Sequence, residues 1–237
     1  MASTPLYIQI YKSILTLIKN GKYKENTALP SERELCEKYF VSRSTIRQTI
    51  SLLKEADLVY VVQGKGTFIK PQVFVQPLTK GYSFTDTLKN DNVIIQNKII
   101  EYTKETPDSA LAKITGYNEN SIFHKLTRLR SAKDSPLMLE TTYLPSARFI
   151  RLDIERIESG SLYDYLHKTY DFRADKIKET LRPIIPLTKE KKLLQISSNV
   201  PCILLERFSY EDDLLIEYTR SIVRGDKYIF QVNLSNE

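Results

Sequence analysis

Residues 29–69 read LPSERELCEKYFVSRSTIRQTISLLKEADLVYVVQGKGTFI, and this segment decides how the rest of the chain is interpreted. It predicts two short helices joined by a tight turn and followed by a two-stranded hairpin. Ser31 offers a hydroxyl cap with a glutamate three residues on, which is the spacing of a capping box. The turn falls at Phe40-Val41, and Ser42 caps the second helix.

The second helix has two distinct faces. Ile46, Ile50 and Leu53 recur at helical spacing and are predicted to face a core. The opposite face carries arginines, hydroxyls and a glutamine, and no acidic residue lies between Glu37 and Glu55. A solvated helix usually alternates acids with its arginines, whereas this composition suits contact with phosphates and base edges. The alternative is an ordinary surface helix that happens to be basic.

The hairpin that follows has a narrow tip. A β-branched run at residues 58–62 leads into Gln63-Gly64-Lys65-Gly66, and Thr67-Phe68-Ile69 returns. Two glycines around one lysine leave little side-chain bulk, so the tip can approach a nucleic acid backbone or enter a minor groove. The alternative is a hairpin turn without a binding role.

Residues 5–70 resemble the winged helix-turn-helix domain of GntR-type bacterial transcription regulators. The matching motifs are LPSEREL at 29–35, VSRSTIR at 41–47 and GKGTF at 64–68. The resemblance implies double-stranded operator DNA as a partner, with the glycine tip in the minor groove. The residues expected at the DNA are Ser31, Arg33, Arg43, Ser44, Thr45, Arg47, Gly64, Lys65, Gly66 and Thr67.

Charge and composition agree with a DNA-binding N-terminal third. The chain has a net charge of +6, and residues 1–75 hold 11 Lys and Arg against 6 Asp and Glu, while the remainder holds 24 against 23. Cys36 and Cys202 lack metal-ligand spacing, so we expect buried thiols, no metal and no cofactor. The sequence shows neither a signal peptide nor an apolar run of about 18 residues, so we expect a cytoplasmic protein without a membrane span.

Three segments are predicted along the chain: a DNA-binding domain at 1–70, a linker at 71–92, and an effector-binding and dimerisation domain at 93–237. Prolines and a loss of periodicity mark the linker. The last segment alternates β-prone runs with short helices, which predicts an α+β fold with a mainly antiparallel sheet. Inside the linker, Ser83-Phe84-Thr85 is a weak motif whose alternative interpretation is the N-cap of a short helix.

About residues 80–235 resemble UTRA, the effector-binding domain of the HutC branch of GntR regulators, whose fold is of the chorismate lyase type. The matching pieces are Arg128-Leu129-Arg130, residues 140–143, Gly160-Ser161-Leu162-Tyr163, Glu217 and RGDKYIF at 224–230. This match is looser than that of the DNA-binding domain. The chorismate lyase fold also raises an enzyme as an alternative.

Two arginines mark the chemistry of this domain. Arg128 and Arg130 lie two apart on a predicted strand, so both point to one face. Neighbouring like charges repel, and an interior pair must meet anions, for which guanidinium forks suit phosphate or carboxylate. The alternative is that Glu140 and Glu217 only neutralise these arginines on a solvent-exposed face, and spacing alone does not decide between the two.

The UTRA resemblance implies a pocket in which arginines and hydroxyls hold an anionic group while carboxylates and a tyrosine bond ring hydroxyls. A sugar phosphate fits that set, and a non-sugar carboxylate is the alternative effector. Ser161 has a second interpretation as a helix N-cap. The residues expected at the effector are Ser83, Phe84, Thr85, Arg128, Arg130, Glu140, Ser161, Tyr163 and Glu217.

Two rival functions are less well supported by the sequence. An enzyme would need a nucleophile or base at recognisable spacing, but His124 and His167 are isolated and Glu179 is interpreted as a solvated strand residue. An architectural DNA binder would not need an inward-facing arginine pair. We therefore expect a homodimeric regulator, most simply a repressor, that binds a palindromic operator and is released by a small anionic effector.

Overall fold

The computed structural model describes residues 4–71, 73–78, 95–132 and 135–234. The chain divides into two compact units, Met1–Val73 and Phe74–Glu237. Across these described ranges, no helix is long and apolar enough to cross a membrane.

The N-terminal unit is the predicted winged helix-turn-helix. The antiparallel hairpin pairs Val59 with Ile69 and Val62 with Gly66. Its elements are α1 (Leu6–Lys19), α2 (Glu32–Tyr39), α3 (Arg43–Glu55), β1 (Val59–Val62) and β2 (Gly66–Ile69).

The core of this unit is built by the apolar faces of the three helices. Ile14, Leu35, Ile46 and Leu53 are fully buried there and pack with residues of the hairpin. Ser31 forms the predicted capping box at the start of α2. Periodicity and capping therefore place α3 with its apolar face inward and its polar face outward.

The C-terminal unit is built on a six-stranded antiparallel sheet, which confirms the predicted α+β class. The elements are β3 (Phe74–Pro77), β4 (Ile95–Glu105), α4 (Ser109–Thr115), β5 (Phe123–Ala132), β6 (Ser135–Pro145), α5 (Ile154–Ser159), α6 (Leu162–Tyr170), β7 (Lys176–Ile184), α7 (Thr188–Leu194), β8 (Cys202–Glu211), β9 (Leu214–Arg224) and β10 (Tyr228–Gln231). The strand order in the sheet is β4-β5-β6-β9-β8-β7, and β3 pairs separately with β10.

Different helices cover the two faces of this sheet. Leu126 and Leu144 pack with α5 and α6. Leu139 and Leu204 pack with Leu194 of α7. Because successive residues of a strand point to opposite faces, Leu126 shares its face with the even-numbered residues that follow it on β5.

Strand β3 lies within the segment predicted as a linker. It pairs in parallel with β10, so that Phe74 lies opposite Tyr228 and Gln76 opposite Phe230. Phe74 is buried in a cluster with Met138 of β6 and other residues of the C-terminal unit. The predicted linker at 71–92 therefore includes a strand of the C-terminal unit, and its residues 79–92 lie outside the described ranges.

Candidate functional site

The C-terminal unit contains a cavity beside the two arginines predicted to bind an anion. Arg128 and Arg130 of β5 are 3% and 5% exposed and both line this cavity, which has an empty volume of about 560 Å³ including its mouth. The side chains that line it are Gln76, Arg128, Arg130, Met138, Glu140, Ser161, Leu162, Tyr163, Leu205, Arg207, Glu217, Thr219, Ser221, Tyr228 and Phe230.

Glu140 lies between the two arginines. It is directly opposite Arg128 in the β5–β6 register, where it forms a salt bridge with Arg128 Nη2, and its other oxygen lies 3.5 Å from Arg130 Nη1. Burial raises the pKa of the Glu140 carboxyl, but Arg128 and Arg130 outweigh burial and hold this pKa below its usual value. Burial lowers the pKa of Arg130 to about 10, which leaves it charged at neutral pH. The trio therefore carries a net charge of about +1 inside the domain.

One nitrogen of this trio has no hydrogen-bond partner among the described residues. Arg128 Nε is buried and makes no hydrogen bond within the described residues. An unsatisfied buried donor costs about 1–3 kcal/mol, and more when it is charged. The alternative in which Glu140 only neutralises the arginines on a solvent-exposed face does not fit fully. The trio is buried, and it retains both an excess positive charge and a donor without a partner among the described residues.

Glu217 also lines the cavity, and its carboxylate is hydrogen-bonded to three hydroxyl groups. Its Oε2 accepts hydrogen bonds from Tyr163 Oη and Ser209 Oγ, both at 2.6 Å, and its Oε1 accepts one from Thr219 Oγ1 at 2.7 Å. Burial raises the pKa of Tyr163, and the neighbouring Glu217 carboxylate raises it further, so the phenol keeps its proton. Each carboxylate oxygen accepts about two hydrogen bonds, so Oε1 can receive one more hydroxyl.

Arg207 is a cavity residue that the sequence analysis missed. Its Nη1 donates to Tyr163 Oη at 3.1 Å, and its Nε donates to Glu179 Oε1 at 2.6 Å. The interpretation of Glu179 as a solvated residue is therefore wrong, because this carboxylate pairs with a cavity arginine and its side chain is 13% exposed. Leu205 and Arg207 are two positions apart on β8, so they share one face of the strand, and both line the cavity. Strand alternation therefore identifies Arg207 as a cavity residue once the inward face of β8 is known.

Ser161 caps a helix and lines the cavity, and its contact with an effector stays a prediction. Its hydroxyl accepts from Asp164 N at 3.3 Å as the N-cap of α6, and the residue also lines the cavity. Asn97 connects the residue before Ser161 to the arginines. Its Oδ1 accepts a hydrogen bond from Arg130 Nε at 3.1 Å, and its Nδ2 donates one to Gly160 O at 2.9 Å. The predicted contacts Ser83, Phe84 and Thr85 lie outside the described residues.

His124 is a buried, hydrogen-bonded residue of the C-terminal unit. His124 is fully buried, with Nε2 2.6 Å from the Phe149 carbonyl and Nδ1 2.8 Å from Tyr102 Oη. A carbonyl only accepts, so Nε2 carries the proton and Nδ1 accepts from the tyrosine. Burial lowers the pKa of His124 despite the carbonyl, so the ring stays neutral. Within the described residues, no group of three or more His, Cys, Asp or Glu side chains is arranged to hold a metal ion.

The burial of neutral His124 predicts a pH dependence of stability. The unfolded chain takes up a proton near pH 6.5, whereas folded His124 does so only at lower pH, so the free energy of unfolding falls as pH drops below about 6.5. This group contributes a slope of up to about 1.4 kcal/mol per pH unit. Urea unfolding between about pH 5 and 7 should show a shallower dependence for His124→Gln than for the wild type. Equal slopes in the His124→Gln variant and the wild type would contradict the prediction.

A second candidate surface lies on the N-terminal unit, where the first turn of α3 presents polar side chains. Ser42, Arg43 and Ser44 are exposed, and the Ser42 hydroxyl lies 2.8 Å from Ser44 Oγ and 3.0 Å from Thr45 Oγ1. Arg43 has no salt-bridge partner among the described residues. These hydroxyls and the arginine form one surface beside the N-cap of α3.

The other predicted DNA contacts of the helices have protein partners. Arg33 pairs with Glu37 at 3.0 Å and Arg47 with Glu32 at 3.1 Å, although no acid lies on α3 before Glu55. Both arginines are mostly exposed, and such surface pairs contribute about 0–1 kcal/mol, so phosphates can replace these acids at little cost. The Ser31 hydroxyl is hydrogen-bonded to Glu34 in the capping box.

The hairpin tip has the predicted backbone geometry. Gly64 and Gly66 have φ angles of 76° and 114°, which L-residues with a side chain rarely adopt. Lys65 between them is exposed, while Thr67 is half-buried and pairs with Val61. The tip is therefore narrow and carries its charge outward.

Comparisons with known proteins cover both units. The family model for bacterial regulatory proteins of the gntR family matches residues 6–69, and the model for the UTRA domain matches residues 92–229. The chain is similar to the HTH-type transcriptional repressor NagR of Bacillus subtilis (strain 168), with 33% identity over 95% of this chain and 93% of that protein.

Two further relatives extend this likeness. The mannosyl-D-glycerate transport/metabolism system repressor MngR of Escherichia coli (strain K12) is 28% identical over 97% of this chain and 96% of its own. The crystal structure of PhnF from Mycobacterium smegmatis has a TM-score of 0.68 at 27% identity, and the match covers 96% of this chain and 100% of that chain.

Proposed function

The chain belongs to the GntR family of bacterial regulators, in the HutC subfamily that joins a helix-turn-helix to a UTRA domain, and on this premise we propose that it represses transcription until a sugar phosphate occupies the C-terminal cavity. Its relatives NagR and MngR are transcriptional repressors, not enzymes. The chain is accordingly a ligand-responsive transcription regulator.

The observation that carries the effector proposal is the buried trio of Arg128, Arg130 and Glu140, in which Arg128 Nε has no hydrogen-bond partner among the residues that the structure describes. An excess positive charge and a free guanidinium donor favour an anionic group such as phosphate. Glu217, Tyr163 and Ser161 supply acceptors and hydroxyls suited to a sugar ring. Relatives named for mannosyl-D-glycerate and for fructoselysine utilisation support a carbohydrate part.

We propose that the chain acts on DNA as a homodimer. Helix-turn-helix proteins match palindromic half-sites by their own two-fold symmetry, and the exposed first turn of α3 supplies one set of contacts per subunit. In that arrangement α3 lies in the major groove and the Gly64–Gly66 tip in the minor groove. The effector then releases the operator by favouring an arrangement of the two subunits that cannot bind both half-sites.

A ligand panel tests the effector class. Hexose phosphates, disaccharide phosphates, the same sugars without phosphate, carboxylate metabolites and inorganic phosphate are added to the full chain, and thermal unfolding is recorded. A true effector at about 100 times its Kd should raise the unfolding midpoint by several degrees, and it should also release bound DNA. A response to carboxylates but not to phosphates would replace the sugar-phosphate proposal by the alternative effector. Chemical turnover of the ligand would contradict the assignment as a regulator.

A further inference from the structure

An aromatic side chain is exposed in the turn that leads into α3. Phe40 is 94% exposed, although it is one of the largest apolar residues of the N-terminal unit. Its φ of 54° is in the left-handed region, where a side chain costs about 1–2 kcal/mol relative to the right-handed conformation. The backbone N–H of Phe40 donates to Cys36 O and ends α2, a task that any residue at this position can perform. The ring itself therefore adds nothing to the fold that offsets its strained backbone.

The position of Phe40 joins it to the surface predicted to meet DNA. Its neighbours Tyr39 and Val41 pack on the core of the unit, so the turn is anchored on both sides of the ring. Ser42, which caps α3, and Arg43 at its start are exposed. The ring thus extends the exposed surface at the first turn of α3 by one apolar group.

We propose that Phe40 is a further residue that contacts DNA. Its ring packs against deoxyribose and thymine methyl groups at the edge of the groove that α3 enters. The proposal rests on the operator-binding role proposed above. The thymine methyl group is an apolar feature of the major groove, and side chains such as phenylalanine recognise it by contact. Strained residues are retained where surrounding structure fixes them and function uses them, which is the situation of this turn.

An apolar contact has a signature that differs from an arginine contact. Arginines that neutralise phosphates displace counterions, so removing one reduces the slope of log affinity against log salt concentration by about 0.9. Removing the Phe40 ring should weaken binding at every salt concentration without altering this slope.

The test uses the full chain and a DNA duplex enriched from a randomised library with the wild-type protein. Phe40→Gly and Phe40→Asn both suit a left-handed backbone, so neither should lower the thermal unfolding midpoint, and glycine should raise it by a few degrees. Both variants should bind the duplex about tenfold more weakly, with an unchanged salt slope.

A matched control is available on the other unit. Gln195 ends α7 with a φ of 54°, so Gln195→Gly relieves the same kind of backbone strain within the C-terminal unit. This variant should gain stability and keep full DNA affinity.

Several results would overturn the contact. Wild-type affinity in both Phe40 variants would do so, as would a loss of affinity that appears only together with a lower unfolding midpoint. A changed oligomeric state at constant DNA affinity would assign the ring to self-association instead. If Arg43→Ala loses affinity while the Phe40 variants do not, only the Phe40 contact fails. If the wild type enriches no duplex, the operator proposal and this contact fail together.

Discussion

Replacing Arg43 by alanine is expected to lower operator affinity by about a hundredfold or more. A bidentate arginine contact to a base discriminates by about 1–3 kcal/mol, and a homodimer loses two such contacts at once. Arg43 is exposed in the first turn of α3 and has no salt-bridge partner among the described residues, so no intramolecular pair is lost with it. The affinity is measured by titrating the operator duplex and a scrambled duplex with each protein.

The control for this variant has the same change in net charge. Arg173→Ala removes an exposed arginine of the C-terminal unit, whose side chain is 76% exposed. It should leave both affinities near the wild-type values, and ligand-induced stabilisation should survive in both variants. Operator binding by Arg43→Ala at wild-type strength would mean that α3 is not the helix that reads the DNA.

Replacing Arg128 by alanine is expected to abolish the stabilisation produced by the effector. The substitution removes the unpartnered Nε and the stronger of the two partners of Glu140. It should also lower the free energy of unfolding by about 2 kcal/mol, because it removes a buried charge-assisted hydrogen bond to Glu140, although Arg130 still balances the Glu140 charge. Thermal unfolding with and without the effector reports both effects.

Two further variants distinguish a loss of ligand binding from a loss of folding stability. Arg128→Lys keeps the charge beside Glu140 but lacks the planar fork, so it should fold better than the alanine variant and still bind the effector weakly. Arg148→Ala breaks a partly exposed pair with Glu211, at 2.6 Å, outside the cavity lining, and should retain the full response. An unchanged effector response in Arg128→Ala would reject the cavity as the binding site.

Local patterns were sufficient to predict the N-terminal unit. The capping box at Ser31, the apolar stripe of Ile46 and Leu53, and the glycines at 64 and 66 each depend on residues close in sequence. Their interactions form within one helix or one turn, so the local amino-acid sequence is enough to predict them. The same holds for the shared face of Arg128 and Arg130, which follows from strand alternation alone.

Long-range pairings could not be predicted in this way. Glu179 became a partner of Arg207 only because β7 and β8 pair in one particular register. Gln76 reached the cavity because β3 adds to β10 in parallel, across about 150 positions of sequence. Neither residue carries a local motif, which is why the first was interpreted as solvated and the second was assigned to a linker.

Gln76 lines the cavity and lies close in sequence to the hairpin of the N-terminal unit. Its Oε1 accepts a hydrogen bond from Tyr228 Oη at 2.9 Å, and both residues line the cavity. Counting along the chain, Gln76 follows Ile69, the last residue of the hairpin, by seven positions. Only residues 70–75 separate Gln76 from the hairpin, so we expect a ligand that displaces the Tyr228 hydroxyl or the Gln76 amide to disturb a segment directly continuous with the N-terminal unit.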